Sequence, residues 1–199
     1  MPRHADPDQR RRQIAEAVWR LGARGGLEQV TLRQVAAEAG VSARLLQYYF
    51  GNRQHLLVGA LEIFNADAEQ QARDRITALE KASLRAIVRA VLLELLPLDD
   101  ARRARHLIYA VYFVRFLTDP DLKEIGAAGH PALQELVIEL LLQAVEAGEA
   151  PSLLDAKPAA AVLVAVAQGL QAEVLLGQTS AECATAIIDY QLDAVFGGQ

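Results

Sequence analysis

The side chains best suited to recognition chemistry crowd the first quarter of this 199-residue chain. Arg44 and Gln47 stand three apart in a short segment opening at Ser42, so a helix there puts both on one face. A guanidinium so placed can donate two hydrogen bonds to a guanine edge, and a carboxamide can pair with adenine. Ser42 and Ala43 begin the same segment, at the end that enters a major groove about 12 Å wide. Thr31, Arg33, Tyr48, Tyr49 and Arg53 carry donors suited to phosphate oxygens, which fix register without reading sequence. The run Arg10-Arg11-Arg12 adds charge for a neighbouring backbone or minor groove.

The charge distribution agrees with that chemistry. Residues 1–55 hold nine basic against five acidic residues, a charge of +4, whereas the remainder, with 11 basic against 20 acidic, carries −9. A basic segment on an acidic body is the pattern of a nucleic-acid module joined to something else. Other chemistries find no footing. His4, His55, His106 and His130 are scattered without metal-ligand spacing. Phosphate-cradling glycines, Gly-x-Ser-x-Gly and His-Glu-x-x-His are all missing, so neither a catalytic set nor a cofactor is expected. Cys183 is a lone cysteine, which points to a reducing cytoplasm rather than a disulfide framework. The longest uninterrupted apolar candidate, Ala159–Ala167, falls well short of the roughly 20 residues a membrane span needs.

The elements that must position these groups read as helices throughout. Ile14, Val18 and Leu21 recur at helical spacing until Gly25-Gly26. Thr31 can cap a short helix over Leu32–Ala39, and Ser42 a third running to about Phe50. Two short capped helices separated by Ala39-Gly40-Val41-Ser42 have the spacing of a helix-turn-helix. Beyond Gly51-Asn52 the pattern predicts helices over about Arg53–Arg73, Ile76–Leu96, Asp99 or Asp100 to Leu117, Pro131–Gly148, Ala159–Leu176 and Ala181–Phe196. A loop is expected at Gly126–Pro131. The fold class is therefore all-α, about nine helices, with a three-helix module over 1–52 and a helical body over 53–199.

The stretch Thr31-Leu32-Arg33-Gln34-Val35-Ala36-Ala37-Glu38-Ala39-Gly40-Val41-Ser42, followed by Tyr48-Tyr49-Phe50-Gly51-Asn52-Arg53-Gln54-His55-Leu56-Leu57, resembles the DNA-binding region of TetR-family transcriptional regulators. The resemblance spans about residues 10–60. Leu96-Pro97-Leu98-Asp99, Leu117-Thr118-Asp119-Pro120-Asp121-Leu122 and Gln168-Gly169-Leu170 are similar to the C-terminal domain of the BetI branch. The resemblance implies a bacterial repressor, cytoplasmic and nucleoid-associated when bound, that leaves a palindromic operator when a small apolar or amphipathic effector binds. It also implies a homodimer formed through the last two long helices, about 159–176 and 181–196. Two positions depart from the family pattern: Gln47 stands where tyrosine is frequent, and Arg53 where lysine is.

The body leaves alternatives open. Ala159, Ala160, Ala161, Ala165, Ala167 and Gly169 permit close helix approach in a dimer, but two apolar terminal helices can equally pack inside one chain. Phe64, His106, Tyr109, Tyr112, Phe113 and Phe116 concentrate on the fourth and sixth helices, either lining an effector pocket or filling ordinary core. Glu94 and Arg115 can neutralise a charged ligand or face water. The same sequence also suits a regulator of this fold without a small effector, or a helical carrier or enzyme whose basic N-terminus is incidental.

Overall fold

The computed structural model describes residues 6–78 and 82–197, and the side chains of these except 125–130. Among them every regular element is helical. The helices are α1 (Pro7–Gly25), α2 (Leu32–Glu38), α3 (Ala43–Phe50), α4 (Arg53–Thr77), α5 (Leu84–Leu93), α6 (Asp100–Thr118), α7 (Pro120–Glu146), α8 (Ala156–Leu176) and α9 (Ala181–Phe196), with a 3-10 turn at Leu27–Gln29. His4 and the side chain of His130, two of the histidines weighed for metal binding, lie outside the described residues.

Several boundaries differ from the sequence expectation, three of them for a clear local reason. α5 starts at Leu84 rather than Ile76, because the Ser83 hydroxyl accepts from the Ala86 amide and sets the first turn there. α7 is one helix from Pro120 to Glu146 with Pro131 inside it, not a loop followed by a helix. A proline inside a helix forfeits a backbone hydrogen bond and costs about 3 kcal/mol. Packing at both ends opposes that cost: Leu122 is fully buried before it, and Val137, Leu141 and Ala144 after it at helical spacing. α8 begins at Ala156, since Pro158 in its first turn needs no donor there.

The chain divides into two compact units, Met1–Glu69 with Leu107–Gly126, and Gln70–His106 with Ala127–Gln199. The first has a core of Ile14 and Val18 from α1, Leu46 from α3, Leu56, Leu57 and Leu61 from α4, and Tyr112 from α6, all with zero exposure. Gly59 is required in that core, because a Cβ at this position would stand 2.9 Å from the Phe50 ring. The second gathers Val88 and Leu92 of α5, Val137 and Leu141 of α7, Leu163, Val164 and Ala167 of α8, and Ile188 and Leu192 of α9. Arg89 holds Asp189 with two hydrogen bonds, 2.5 and 3.0 Å, and so ties α5 to α9.

α8 is more apolar over its whole length than its longest uninterrupted run suggests. An 18-residue window within this 21-residue helix reaches a mean hydropathy of 1.8, long and apolar enough by length and composition to cross a membrane. Counting uninterrupted apolar runs misses this, because Gln168 and Gln171 break the run without making the helix polar. Seven of its residues are buried in the core of the second unit.

A candidate nucleic-acid interface

The local chemistry of residues 31–50 produces two short helices joined by a tight turn. Thr31 and Gln34 cap α2 reciprocally: the Thr31 hydroxyl accepts from the Gln34 amide at 3.3 Å, and Gln34 Oε1 accepts from the Thr31 amide at 3.0 Å. Gly40 takes a φ of +63°, which a side chain would resist, and the Val41 amide returns to the Ala36 carbonyl at 2.9 Å. Ser42 then caps α3, its hydroxyl accepting from the Leu45 amide at 3.1 Å. Leu46 and Phe50 are buried, so the opposite side of α3 faces outward.

That outward side carries Ser42, Ala43, Arg44, Gln47 and Tyr48, all exposed. Arg44, Gln47 and Tyr48, at i, i+3 and i+4, share one face, and Tyr48 is 82% exposed. Tyr49 is half-buried against the first core and meets Tyr48 edge-on at 5.4 Å. Arg33 and Thr31 are exposed on and before α2. Two guanidinium forks and two phenols thus stand around one short helix, chemistry suited to base edges and phosphates together.

Arg53 is placed differently. Its guanidinium donates to the Val30 carbonyl at 2.7 Å and the Leu27 carbonyl at 2.6 Å. It fastens the first turn of α4 to the strand of chain that leads into Thr31, so it positions the motif from beneath. The arginine run is also engaged: Arg11 lies over the Phe50 ring at 5.5 Å and Arg12 pairs with Asp67 at 2.5 Å.

Several bracing contacts have no local sequence signature. Gln13 donates to the Ala39 carbonyl at 2.7 Å, joining α1 to the turn. Arg20 and Arg24 converge on Glu38 at 2.9 and 3.3 Å. The Arg20 hydrogen bond holds that carboxyl below its ordinary range. Gln54 donates to both oxygens of Asp119, at 2.7 and 2.8 Å, and Arg115 bridges Asp119 and Glu28. The partners are up to 87 residues apart in sequence.

The six candidate effector residues fall in different places. Phe64, Tyr112 and Phe116 are buried in the first unit, and Tyr109 is half-buried beside them. Trp19 meets Phe64 edge-on at 5.3 Å, and Tyr109 links Phe64 to Phe116. The Tyr112 hydroxyl donates to the Leu57 carbonyl at 3.1 Å, and burial pushes its pKa well up. Phe113 is 58% exposed on the same helix. His106 belongs to the second unit, buried there.

α8 and α9 present a second kind of exposed face. Val162, Ala165, Gly169, Ala172 and Leu176 recur at alternating steps of three and four along α8, all exposed. Cys183, Ala186, Tyr190 and Ala194, exposed as well, follow at steps of three, four and four along α9. A Cβ added at Gly169 would meet nothing within 4 Å, so the chain's own fold does not require glycine there.

Residues 14–60 match the family of bacterial regulatory proteins named for tetR, and residues 84–197 match the C-terminal domain of BetI-type transcriptional repressors. The transcriptional regulator PksA of Bacillus subtilis is 34% identical over 102 residues, 50% of this chain and 48% of its own length. The regulator BetI of Agrobacterium fabrum is 37% identical over 83 residues, 42% of this chain and 39% of its own. The matches thus span less than half the length of these curated relatives. A crystal structure of a TetR-family regulator from Rhodococcus sp. superposes with a TM-score of 0.80 and 26% identity, over 94% of this chain and 99% of that one.

Proposed function

The chain belongs to the TetR family of transcriptional regulators, and from that membership we propose a ligand-responsive repressor that binds a palindromic operator as a homodimer. The observation that carries the reading is the outward face of α3, where Arg44, Gln47 and Tyr48 stand exposed over buried Leu46 and Phe50. Arg44 and Gln47 read bases from the major groove, with Ser42 and Ala43 at the entering end; Thr31, Arg33, Tyr48 and Tyr49 hold phosphates. Arg53 contributes charge near the backbone while bracing the turn. The functional division falls near residue 52, with the reader before it and the dimerising, effector-binding body after it. The protein acts in the cytoplasm, where its DNA is.

The dimer forms through the apolar faces of α8 and α9, which support this role by their small residues and their exposure. Two α3 helices then meet successive major grooves about 34–36 Å apart. An effector releases DNA only by preferring the state that does not bind it, at about 1.4 kcal/mol of coupling for each tenfold preference. Selection of bound duplexes from a random pool tests the reading directly. An inverted repeat is expected; recovery of no sequence, or of an asymmetric one, overturns it.

One observation favours a second reading, a regulator of this fold without a small effector. Phe64, Tyr112 and Phe116 are committed to the core of the first unit, which leaves few aromatics to line a pocket. Thermal-shift screening separates the two, because a binding compound raises the melting temperature by mass action.

A further inference from the structure

The helix-turn-helix is held at both of its ends by one corner of the fold. The first compact unit joins Leu107–Gly126 to the segment that carries the motif, so the end of α6 and the start of α7 belong with the reader. Entry to the motif is the 3-10 turn Leu27–Gln29, just before Thr31. Arg53 holds this stretch through the Leu27 and Val30 carbonyls. Arg115 of α6 holds it through Glu28: Arg115 Nε lies 2.9 Å from Glu28 Oε1, and Nη2 donates to Oε2 at 3.3 Å.

Exit from the motif is the first turn of α4, where Gln54 follows Arg53. The Gln54 amide donates to both Asp119 oxygens, at 2.7 and 2.8 Å. Asp119 closes the ring, because its Oδ2 accepts from Arg115 Nη1 at 3.4 Å. Its Oδ1 also accepts from the Asp121 amide at 3.2 Å, in the first turn of α7.

Burial and charge say what each arm of the ring does. The side chains of Asp119 and Arg115 are 10% and 17% exposed, whereas that of Glu28 is 77% exposed. An ion pair with so open a carboxylate adds little stability. It does cancel a negative charge three residues before Thr31, where an unpaired carboxylate would repel a phosphate backbone. The Gln54 arm is tied to a carboxylate shielded from water, so it fixes the direction of the first turn of α4.

We propose that Arg115 and Asp119 are positioning residues for operator binding, which hold the entry and the exit of the motif so that Thr31 and α3 meet the duplex together. The inference rests on the DNA-reading role above and extends the reading unit beyond residue 52 into α6.

The test uses the full chain and fluorescence anisotropy. It compares affinity for the duplex that wild type selects with affinity for an unrelated duplex of equal length, and melting temperature controls for folding. Gln54→Ala and Asp119→Ala each lower operator affinity roughly tenfold, the scale of a lost hydrogen bond to a charged group. Their double variant is about as weak as either single one, because both cut the same tie. The unrelated duplex, held through phosphates alone, loses less than about threefold in each. Arg115→Gln weakens both duplexes, and adding Glu28→Gln restores the unrelated one by removing the exposed charge. Gln54→Ala carries the test if Asp119→Ala does not fold.

An unchanged ratio of operator to unrelated affinity in Gln54→Ala, additive losses in the double variant, or Arg115→Gln binding that Glu28→Gln does not restore overturns the proposal. Failure of the DNA-reading role is distinct: wild type would then select no inverted repeat, whereas variants that keep the wild-type ratio sink the positioning role alone.

Discussion

The two exposed helical faces are opposites in chemistry. The outer side of α3 shows Arg44, Gln47 and Tyr48, long side chains with donors at their tips that stay hydrated until a partner arrives. The outer side of α8 and α9 shows Val162, Ala165, Gly169, Ala172, Tyr190 and Ala194, small or apolar groups that gain by leaving water. One face suits a polyanion whose contacts depend on salt; the other suits a second helix at close range. An apolar stripe left open marks an interaction surface.

The largest effect is expected from the apolar face. Gly169→Leu and Val162→Asp fill or charge the stripe without touching the second core, since position 169 has open space and Val162 is 53% exposed. Both variants should fold by circular dichroism yet sediment as monomers. Operator affinity should then fall by about 10²–10⁴, because the second half-site loses its high effective concentration. A variant that stays dimeric assigns this face to some other partner.

On the polar face, Arg44→Ala removes the bidentate base contact proposed for it, worth about 1–3 kcal/mol of discrimination. Electrophoretic mobility shift should report roughly fivefold to 150-fold weaker operator binding at unchanged melting temperature. Loss confined to one base position of the selected sequence would identify what Arg44 reads. Equal loss on all sequences would move it to the phosphates.

The all-helical fold was legible because apolar residues repeat at helical spacing and each short helix announces its cap: Thr31, Ser42 and Ser83 all accept amide hydrogen bonds where caps were needed. Ser83 nevertheless escaped notice, since the apolar period runs across it without a visible break. Pro131 misled in the other direction: its local penalty is plain in sequence, whereas the burial of Leu122, Val137 and Leu141 that outweighs it is not. Within the interface, side-chain types suggested what could touch DNA, but not which were already occupied. Arg53 reads in sequence as a phosphate contact, and its bracing bonds to the Leu27 and Val30 carbonyls become visible only in the fold. Contacts such as Gln54 with Asp119 depend on tertiary geometry alone.

A smaller difference should appear at the caps. Ser42 and Ser180 each accept one amide at 3.1 Å, the first on an 8-residue helix and the second on a 16-residue one. Replacing either by alanine should cost about 1 kcal/mol in chemical denaturation. Ser42→Ala should also weaken operator binding, because a short helix has little else to hold its first turn. Ser180→Ala should leave binding unchanged, since α9 has three further turns packed in its core.

The smallest effect concerns acid. Glu38 and Asp189 both have carboxyls held below their ordinary values of 4.5 and 3.8, by Arg20 and by Arg89 respectively. A depressed folded-state pKa adds stability that is complete above the unfolded value and disappears as pH falls through the folded one. The melting-temperature gap between wild type and Glu38→Gln should therefore be constant above about pH 5.5 and narrow below 4.5. For Asp189→Asn it should hold to about pH 5 and narrow below 3.8. Taking the difference at each pH cancels His106, whose buried neutral ring costs stability as pH drops from 6.5 toward 4. The Asp189 gap should stay under about 1 kcal/mol, since both partners are about a third exposed and solvent screens them. A gap that persists to pH 2 would mean that the amide loses packing rather than charge, and that the α5–α9 tie is steric.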